Sequence, residues 1–160
     1  IREDSIITIN PNGEKIELDS NVSVCAISAA HPTHIFENRN PDMAVSYIIN
    51  LGVKRIIHLG DTYKTDTLIN QLMKFKNPDL FLPPINGREC EETMGFIGNM
   101  DAIEAAEVAK KIGAKLTIPT HFDMFKGNTA DPDKLVEELK RIAPELKAEV
   151  PEILEVKDLI

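Results

Sequence analysis

Arg55-Ile56-Ile57-His58-Leu59-Gly60-Asp61 is a largely apolar run, rich in isoleucine, that ends at a carboxylate. This composition predicts a strand over residues 53–59, and the apolar residues at 44–49 predict another strand directly before it. Asn50-Leu51-Gly52 lies between the two and contains residue types that favour turns. The two runs therefore predict a β-hairpin whose second strand ends at Asp61.

Two other apolar runs end in the same way, because residues 24–30 lead into His31 and residues 116–120 lead into His121. Neighbouring strands can place their ends at one edge of a sheet, and Gly60 would allow backbone or a metal ion to approach that edge closely. Imidazole and carboxylate groups together suit zinc, manganese or iron. His31, Asp61 and His121 are therefore candidate metal ligands.

Each of these endings also has a more ordinary interpretation. An aspartate after a glycine at a strand end is more often a turn former or a helix cap. A single histidine is more often a structural residue than a ligand. Three such endings in succession favour a metal site, although periodicity and spacing alone leave both interpretations open.

The remaining pattern predicts strands first and then helices alternating with strands. Residues 5–9, 15–18 and 22–27 read as consecutive antiparallel strands that precede the hairpin. After Asp61 the apolar spacing becomes helical, with Thr65 or Asp66 as the first N-cap and Asn99 as the second. Asp131-Pro132 predicts a third helix start. Residues 80–82 and 116–118 predict short strands between the helices, and this order indicates an α+β fold.

The composition is that of a globular domain with an acidic surface. The chain has 160 residues and a formal net charge of −8, which argues against a nucleic-acid partner. No apolar run approaches the ~20 residues of a membrane helix. Cys25 and Cys90 do not form a disulfide framework, so free thiols and a cytoplasmic location are expected.

Two segments resemble late motifs of the metallo-β-lactamase superfamily, namely Ile57-His58-Leu59-Gly60-Asp61-Thr62 and Ile118-Pro119-Thr120-His121-Phe122-Asp123. The loop Pro84-Ile85-Asn86-Gly87-Arg88 and the segment Ile97-Gly98-Asn99-Met100 are similar to the branch that contains the L-ascorbate-6-phosphate lactonases. The resemblance extends over residues 22–142. It implies a four-layer αββα sandwich, of which this chain would supply one sheet with its helices.

The resemblance also implies roles for the candidate ligands. Asp61 corresponds to the carboxylate that bridges two metals, His121 to the last histidine ligand, and His31 to a histidine found between the early motif and the bridging aspartate. The cofactor would be one or two divalent ions, zinc or manganese. The main metal motif of the superfamily, His-x-His-x-Asp-His, does not occur in residues 1–160. Residues 1–160 are therefore expected to be the C-terminal part of the domain, without the N-terminal half that holds this motif.

The implied function is that of a lactonase acting on a small anionic sugar-phosphate substrate through a metal-bound hydroxide, with Asp61 as the catalytic carboxylate. Asn86 and Arg88 are candidate substrate-binding residues, since a guanidinium suits phosphate; Arg88 could equally form a surface ion pair with Glu89 or Glu91. A small-nucleotide phosphodiesterase and a non-catalytic fragment are the alternatives. The isolated chain is expected to be inactive, and to associate with the missing half or to form a homo-oligomer.

Overall fold

A computed structural model describes residues 6–11, 13–31, 44–89, 98–124 and 126–152. Within this part of the chain, seven strands form one sheet whose spatial order follows the sequence order. The strands are β1 (Ile16–Glu17), β2 (Val22–Ser28), β3 (Val45–Leu51), β4 (Lys54–His58), β5 (Leu80–Leu82), β6 (Leu116–Thr117) and β7 (Lys147–Ala148).

Strand direction divides the sheet into two parts. The pairs from β1 to β4 are antiparallel, whereas the pairs from β4 to β7 are parallel. The predicted hairpin is confirmed, because Ile48 pairs with Ile57 across β3 and β4. Parallel neighbours need crossover connections, and helices supply them here. The mixed α+β class predicted from the sequence is confirmed.

The described helices are α1 (Asp66–Leu72), α2 (Ala102–Ile112) and α3 (Asp133–Ile142), and the short 3₁₀ segment Met73–Phe75 follows α1. Thr65 caps α1 by accepting a hydrogen bond from the Leu68 N–H, as the sequence predicts. Asp101 caps α2 in a reciprocal arrangement with Glu104. No helix in the described ranges is long and apolar enough to cross a membrane.

The helices cover one face of the sheet and bury the main core against it. Strand residues Cys25, Ile48, Ile57 and Phe81 lie in register on this face. They belong to one buried cluster with α1, α2 and α3, whose members include Leu68, Leu72, Ala105, Val108, Ile112, Leu135 and Leu139. Small alanines on the buried side of α2 let this helix pack closely against the core that covers the sheet.

The opposite face of the sheet is also apolar. Ile16, Val24, Ile49, Ile56 and Leu80 are cross-strand partners in one continuous row from β1 to β5. The second buried cluster consists of strand residues together with Ile118, which follows β6. It contains no helix residue from the described ranges. A sheet with apolar residues on both faces and described helices against only one matches the expected sheet-plus-helix half of a sandwich.

Two local predictions differ from the structure. Residues 6–9, the described part of the predicted strand 5–9, form no strand, and Ile6 and Ile7 are exposed. Asn99 does not cap α2, because Asp101 takes that position and the buried Asn99 side chain points to other partners. The free thiol of Cys25 is buried in the core, and Cys90 lies outside the described residues.

Asp79 anchors the start of the parallel strands at the edge away from the ends of β4 and β5. Its carboxylate accepts hydrogen bonds from Lys115 Nζ at 2.8 Å and from the Arg55 N–H at 2.9 Å, and Lys54 Nζ lies 3.6 Å away. The hydrogen bond from Lys115, followed by that from the Arg55 backbone, holds the pKa of the Asp79 carboxyl below its usual value. The charged form of Asp79 therefore stabilises the fold.

Replacing Asp79 with asparagine is expected to lower the free energy of unfolding at pH 7 by about 1–3 kcal/mol, the usual range for hydrogen bonds to a charged group. Because the folded-state pKa is lowered, this contribution is present above the unfolded-state pKa and is lost as the pH falls through the folded-state value. Urea unfolding at pH 7 and at pH 3 should therefore show a smaller difference between wild type and Asp79→Asn at the lower pH. The control Glu17→Gln removes an exposed ion pair with Lys15 and should change little; equal effects of the two substitutions would contradict the prediction.

Candidate metal centre

The strand directions bring several polar residues to one edge of the sheet. Strands β2, β4, β5 and β6 all point the same way, since β2 and β4 are both antiparallel to β3 and β4 to β6 run parallel. Their C-terminal ends therefore share one edge. His31, Asp61, Asn86 and His121 each follow one of these strands. This edge is the one predicted from the three strand endings in the sequence.

Asp61 and His121 face each other across this edge. Nε2 of His121 lies 3.4 Å from Oδ1 of Asp61, and the two side chains are 18% and 45% exposed respectively. Nδ1 of His121 is buried and has no hydrogen-bond partner among the residues that the structure describes. The pair thus combines an accessible carboxylate with an imidazole held against the protein.

The spacing of Asp61 and His121 suits two ligands of one divalent ion better than a direct hydrogen bond. A charge-assisted N–H···O hydrogen bond is about 2.7–2.9 Å long, so 3.4 Å is too long for a strong direct bond. Two ligand atoms about 2.1 Å from one tetrahedral ion lie about 3.4 Å from each other. The donor atoms and their separation therefore fit a metal ion, although these two residues alone do not complete a coordination shell.

The Asp61 loop is fixed by tight backbone packing. Gly60 has φ +61°, and a Cβ atom there would lie 3.1 Å from the carbonyl oxygen of Val45. The buried Thr62 hydroxyl accepts a hydrogen bond from the Ala30 N–H, and the Thr62 carbonyl accepts one from the Met100 N–H. Three separate segments thus hold the backbone beside Asp61.

His121 occupies an unusual backbone conformation, with φ +55°. The preceding Thr120 donates both its N–H and its hydroxyl to the carbonyl of Pro83, and its own carbonyl accepts the Ile85 N–H. The chain is therefore secured immediately before the strained residue. Left-handed conformations of residues other than glycine are costly and concentrate at functional sites.

The β-lactamase superfamily domain matches residues 2–122, which is more than half of the chain and includes Asp61 and His121. The chain belongs to the metallo-β-lactamase superfamily. This confirms the family predicted from the two motifs.

Curated proteins similar to this chain belong to the UPF0173 group, and several of them are named as metal-dependent hydrolases. The one from Thermoplasma volcanium is 32% identical over 128 residues, covering 79% of this chain and 50% of that protein. A UPF0173 protein from Pyrococcus furiosus is 29% identical over 129 residues, covering 81% of this chain and 50% of that protein. The chain thus spans about half the length of the curated relatives that it matches.

Solved structures from the superfamily share the fold. Igni18, a metallo hydrolase from Ignicoccus hospitalis, aligns with a TM-score of 0.68 at 22% identity, over 91% of this chain and 56% of that one. The metallo-β-lactamase fold protein YhfI from Bacillus subtilis aligns with a TM-score of 0.65 at 19% identity, over 91% and 52% of the two chains. At these identities the likeness shows the fold alone.

His31 follows β2 at the same edge of the sheet, but among the described residues it is not part of a cluster of metal-ligand side chains. Its ring centroid is 6.5 Å from that of Tyr63, whose N–H binds the Ala30 carbonyl. Among the described residues, no group of three or more histidine, cysteine, aspartate or glutamate side chains is placed to hold a metal ion. The structure therefore brings Asp61 and His121 together and leaves His31 at the side, where its role as a ligand stays a prediction.

The two candidate substrate-binding residues are both engaged in protein contacts. Arg88 forms a two-pronged ion pair with Glu104, at 2.9 and 2.8 Å, and lies over the Tyr63 ring. Glu104 is the principal cause of the raised pKa of the Arg88 guanidinium. The buried Asn86 side chain bonds to Asn99 and Asn128. Their binding of substrate stays a prediction.

Asn99, which the sequence predicts as a helix cap, lies beside Asp61 instead. Asn99 Nδ2 lies 3.4 Å from Asp61 Oδ1 and the residue is 1% exposed. The sequence holds one signal against a cap at Asn99. The pattern Asp101-x-x-Glu104 is a capping box, which predicts Asp101 and not Asn99 as the N-cap. The contact with Asp61, 38 residues away, has no sequence signal of its own.

Proposed function

We propose that the protein to which this chain belongs is a metal-dependent hydrolase in which Asp61 and His121 hold a divalent ion. The observation that carries the proposal is the 3.4 Å spacing of Asp61 Oδ1 and His121 Nε2 at the shared edge of four strands. The names of the UPF0173 relatives support the same activity class. Zinc and manganese are both compatible with one carboxylate and one imidazole ligand.

When bound, a divalent ion would lower the pKa of its water to about 7 and would polarise the group under attack. The role of this chain would be to hold the metal ligands in fixed positions. Asp61 presents an exposed carboxylate from a loop held by Thr62, and His121 presents Nε2 from a backbone anchored through Thr120. Asp61 also lies where it could accept a hydrogen bond from the attacking water, which is its proposed catalytic role.

The rest of the metal site is proposed to lie in another part of the same domain. Two observations support this. The apolar row from Ile16 to Leu80 lies on the sheet face against which no described helix packs. The chain also spans only about half the length of the curated relatives that it matches. A second sheet packed on that row would complete an αββα sandwich. Residues 1–160 would then be the C-terminal part of the domain, and His-x-His-x-Asp-His would come from the remaining part.

The proposed substrate is a small anionic lactone, such as a sugar-phosphate lactone. Support comes from the loop Pro84-Ile85-Asn86-Gly87-Arg88, which is similar to that of the L-ascorbate-6-phosphate lactonases, and from the nearby Arg88 guanidinium. Recognition of an anion by Arg88 would require this side chain to exchange or share its bonds with Glu104. A cytoplasmic location stays a prediction from composition.

Metal reconstitution and a substrate panel test this function. The intact protein, stripped with a chelator and reloaded with Zn²⁺ or Mn²⁺, should hydrolyse phosphorylated lactones more rapidly than cyclic nucleotides. The isolated residues 1–160 should hold metal weakly and show no turnover, since two or three ligands do not sustain a two-metal site. Preference for cyclic nucleotides would favour the phosphodiesterase alternative. Robust hydrolysis by residues 1–160 alone would refute the proposal that the rest of the metal site lies elsewhere in the domain. Chelator-resistant hydrolysis by the intact protein would refute the metal dependence.

A further inference from the structure

Three asparagine side chains form a hydrogen-bonded series that leads from the protein interior to Asp61. Asn86 Nδ2 donates to Asn128 Oδ1 at 2.8 Å, and Asn99 Nδ2 donates to Asn86 Oδ1 at 2.8 Å. Asn99 Nδ2 also lies 3.4 Å from Asp61 Oδ1. All three asparagines are less than a tenth exposed. Polar side chains buried to this extent normally need partners, and here they mainly use one another.

The direction of this series is set by its end at Asp61. An ionised carboxylate only accepts hydrogen bonds, so Asn99 must turn its amino group, and not its carbonyl oxygen, towards Asp61. The second proton of the same amino group then reaches Asn86 Oδ1, which in turn directs Asn86 Nδ2 to Asn128. A flipped amide at Asn99 would set its oxygen against both Asp61 and Asn86.

The backbone around Asn99 is held as firmly as its side chain. Its N–H donates to the Gly87 carbonyl at 2.8 Å, and its carbonyl accepts from Arg88 Nη1 at 3.2 Å. A Cβ atom on the preceding Gly98 would lie 2.3 Å from the Gly87 carbonyl oxygen, closer than real contacts allow. The contact between these two loops therefore needs a glycine, and it fixes the distance from Asn99 to Asp61.

We propose that Asn99 is a positioning residue for the metal-ligand carboxylate of Asp61, and that Asn86 and Asn128 hold Asn99 in place. This inference rests on the proposed function, because it assumes that Asp61 binds the ion. The Asn99 amide limits rotation of the Asp61 carboxylate and keeps Oδ1 turned towards His121. Partners that orient a ligand from outside the coordination shell commonly change metal affinity about 10–100-fold when removed. The 3.4 Å contact is long for a hydrogen bond, so the lower end of that range is expected.

Cobalt titration of the metal-free intact protein tests this role without relying on turnover. Asn99→Ala should raise the Kd for Co²⁺ about tenfold and alter the visible absorption of the bound ion, because the carboxylate becomes free to rotate. Asn86→Ala should produce a smaller shift in the same direction. The double variant Asn86→Ala/Asn99→Ala should bind Co²⁺ no more weakly than Asn99→Ala, since both residues act through one contact.

Asn50→Ala is the matched control. Asn50 also links two side chains, since it donates to Ser23 Oγ at 3.3 Å and accepts from Arg55 Nε at 3.2 Å. It lies at the end of β3 that is remote from the metal edge. Its loss should reduce thermal stability and leave the Kd and the spectrum of Co²⁺ unchanged.

The possible failures can be told apart by including Asp61→Ala. If Asp61→Ala loses Co²⁺ but a folded Asn99→Ala keeps the wild-type Kd and spectrum, the positioning role is wrong and the ligand assignment stands. If Asn99→Ala does not fold, Asn86→Ala decides the question. Wild-type Co²⁺ binding by Asn86→Ala would show that the hydrogen-bonded asparagines do not position Asp61. If Asp61→Ala binds Co²⁺ as the wild type does, the proposed function fails and the positioning role fails with it.

Discussion

Asp61→Asn in the intact protein is expected to lower kcat/KM by about a thousandfold or more, since metal activation contributes several kcal/mol and each 1.36 kcal/mol is a factor of ten. The substitution keeps the shape of the side chain and removes the negative charge that a divalent ion needs. Metal content after dialysis should fall in parallel. The large effect follows from the position of Asp61, whose Oδ1 is the oxygen that lies opposite His121 Nε2.

The control for this charge change is Asp66→Asn. Asp66 is an exposed aspartate five residues further along, in the first turn of α1. Its replacement removes the same charge near the same edge of the molecule, without altering a proposed ligand. Metal content and kcat/KM should stay close to wild type. Full metal occupancy and unchanged turnover in Asp61→Asn would show that Asp61 is not a metal ligand.

His121→Asn is expected to separate metal binding from stability. Asparagine adopts positive φ more readily than histidine. His121 has φ +55° and a buried Nδ1 that lacks a hydrogen-bond partner within the described ranges. Loss of the imidazole should weaken metal binding at least about 100-fold, more than loss of an orienting group does. The metal-free variant should nevertheless unfold at a temperature equal to or above that of the metal-free wild type. Metal titration and thermal unfolding of the two apo proteins measure both effects.

Asn77→His provides the reverse exchange. Asn77 has φ +56°, almost the same conformation as His121, in the segment between the 3₁₀ turn and β5. A histidine there should lower the free energy of unfolding by about 1 kcal/mol or more, because the left-handed region disfavours it, and should not change metal affinity. A large loss of apo stability in His121→Asn would show that the imidazole contributes to packing and that the strain argument is wrong.

The strand endings were predictable because they depend on local pattern. Residues 53–59 include the β-branched Val53, Ile56 and Ile57 and are followed by Gly60. Both the strand and its abrupt end could therefore be inferred from the sequence. The same holds for β5, which lies at the predicted residues 80–82, and for the cap at Thr65. Asn99 is not the cap that the sequence predicts, because Asp101, two residues later, forms a capping box with Glu104.

The partners of Arg88 and Asn86 were not predictable in the same way. Arg88 pairs with Glu104, 16 residues away. The sequence instead suggests its neighbours Glu89 and Glu91 as partners, of which Glu91 lies outside the described residues. Asn86 bonds to Asn128, 42 residues away. Both contacts arise because the loop after β5 packs against the first turn of α2 and the loop after β6. Side-chain contacts across such distances depend on how loops meet, and sequence periodicity carries no information on that.

The sequence by itself determined the superfamily, the order of strands β2 to β6 and of the three helices, and Asp61 and His121 as the candidate ligands, because each rests on a short motif or a local period. The tertiary structure alone decided that these two residues face each other at 3.4 Å while His31 lies beside Tyr63. It also decided that Asn99 adjoins Asp61. The physical reason is that strand direction sets which edge a residue reaches, whereas the packing of the loops between strands sets which side chains meet there.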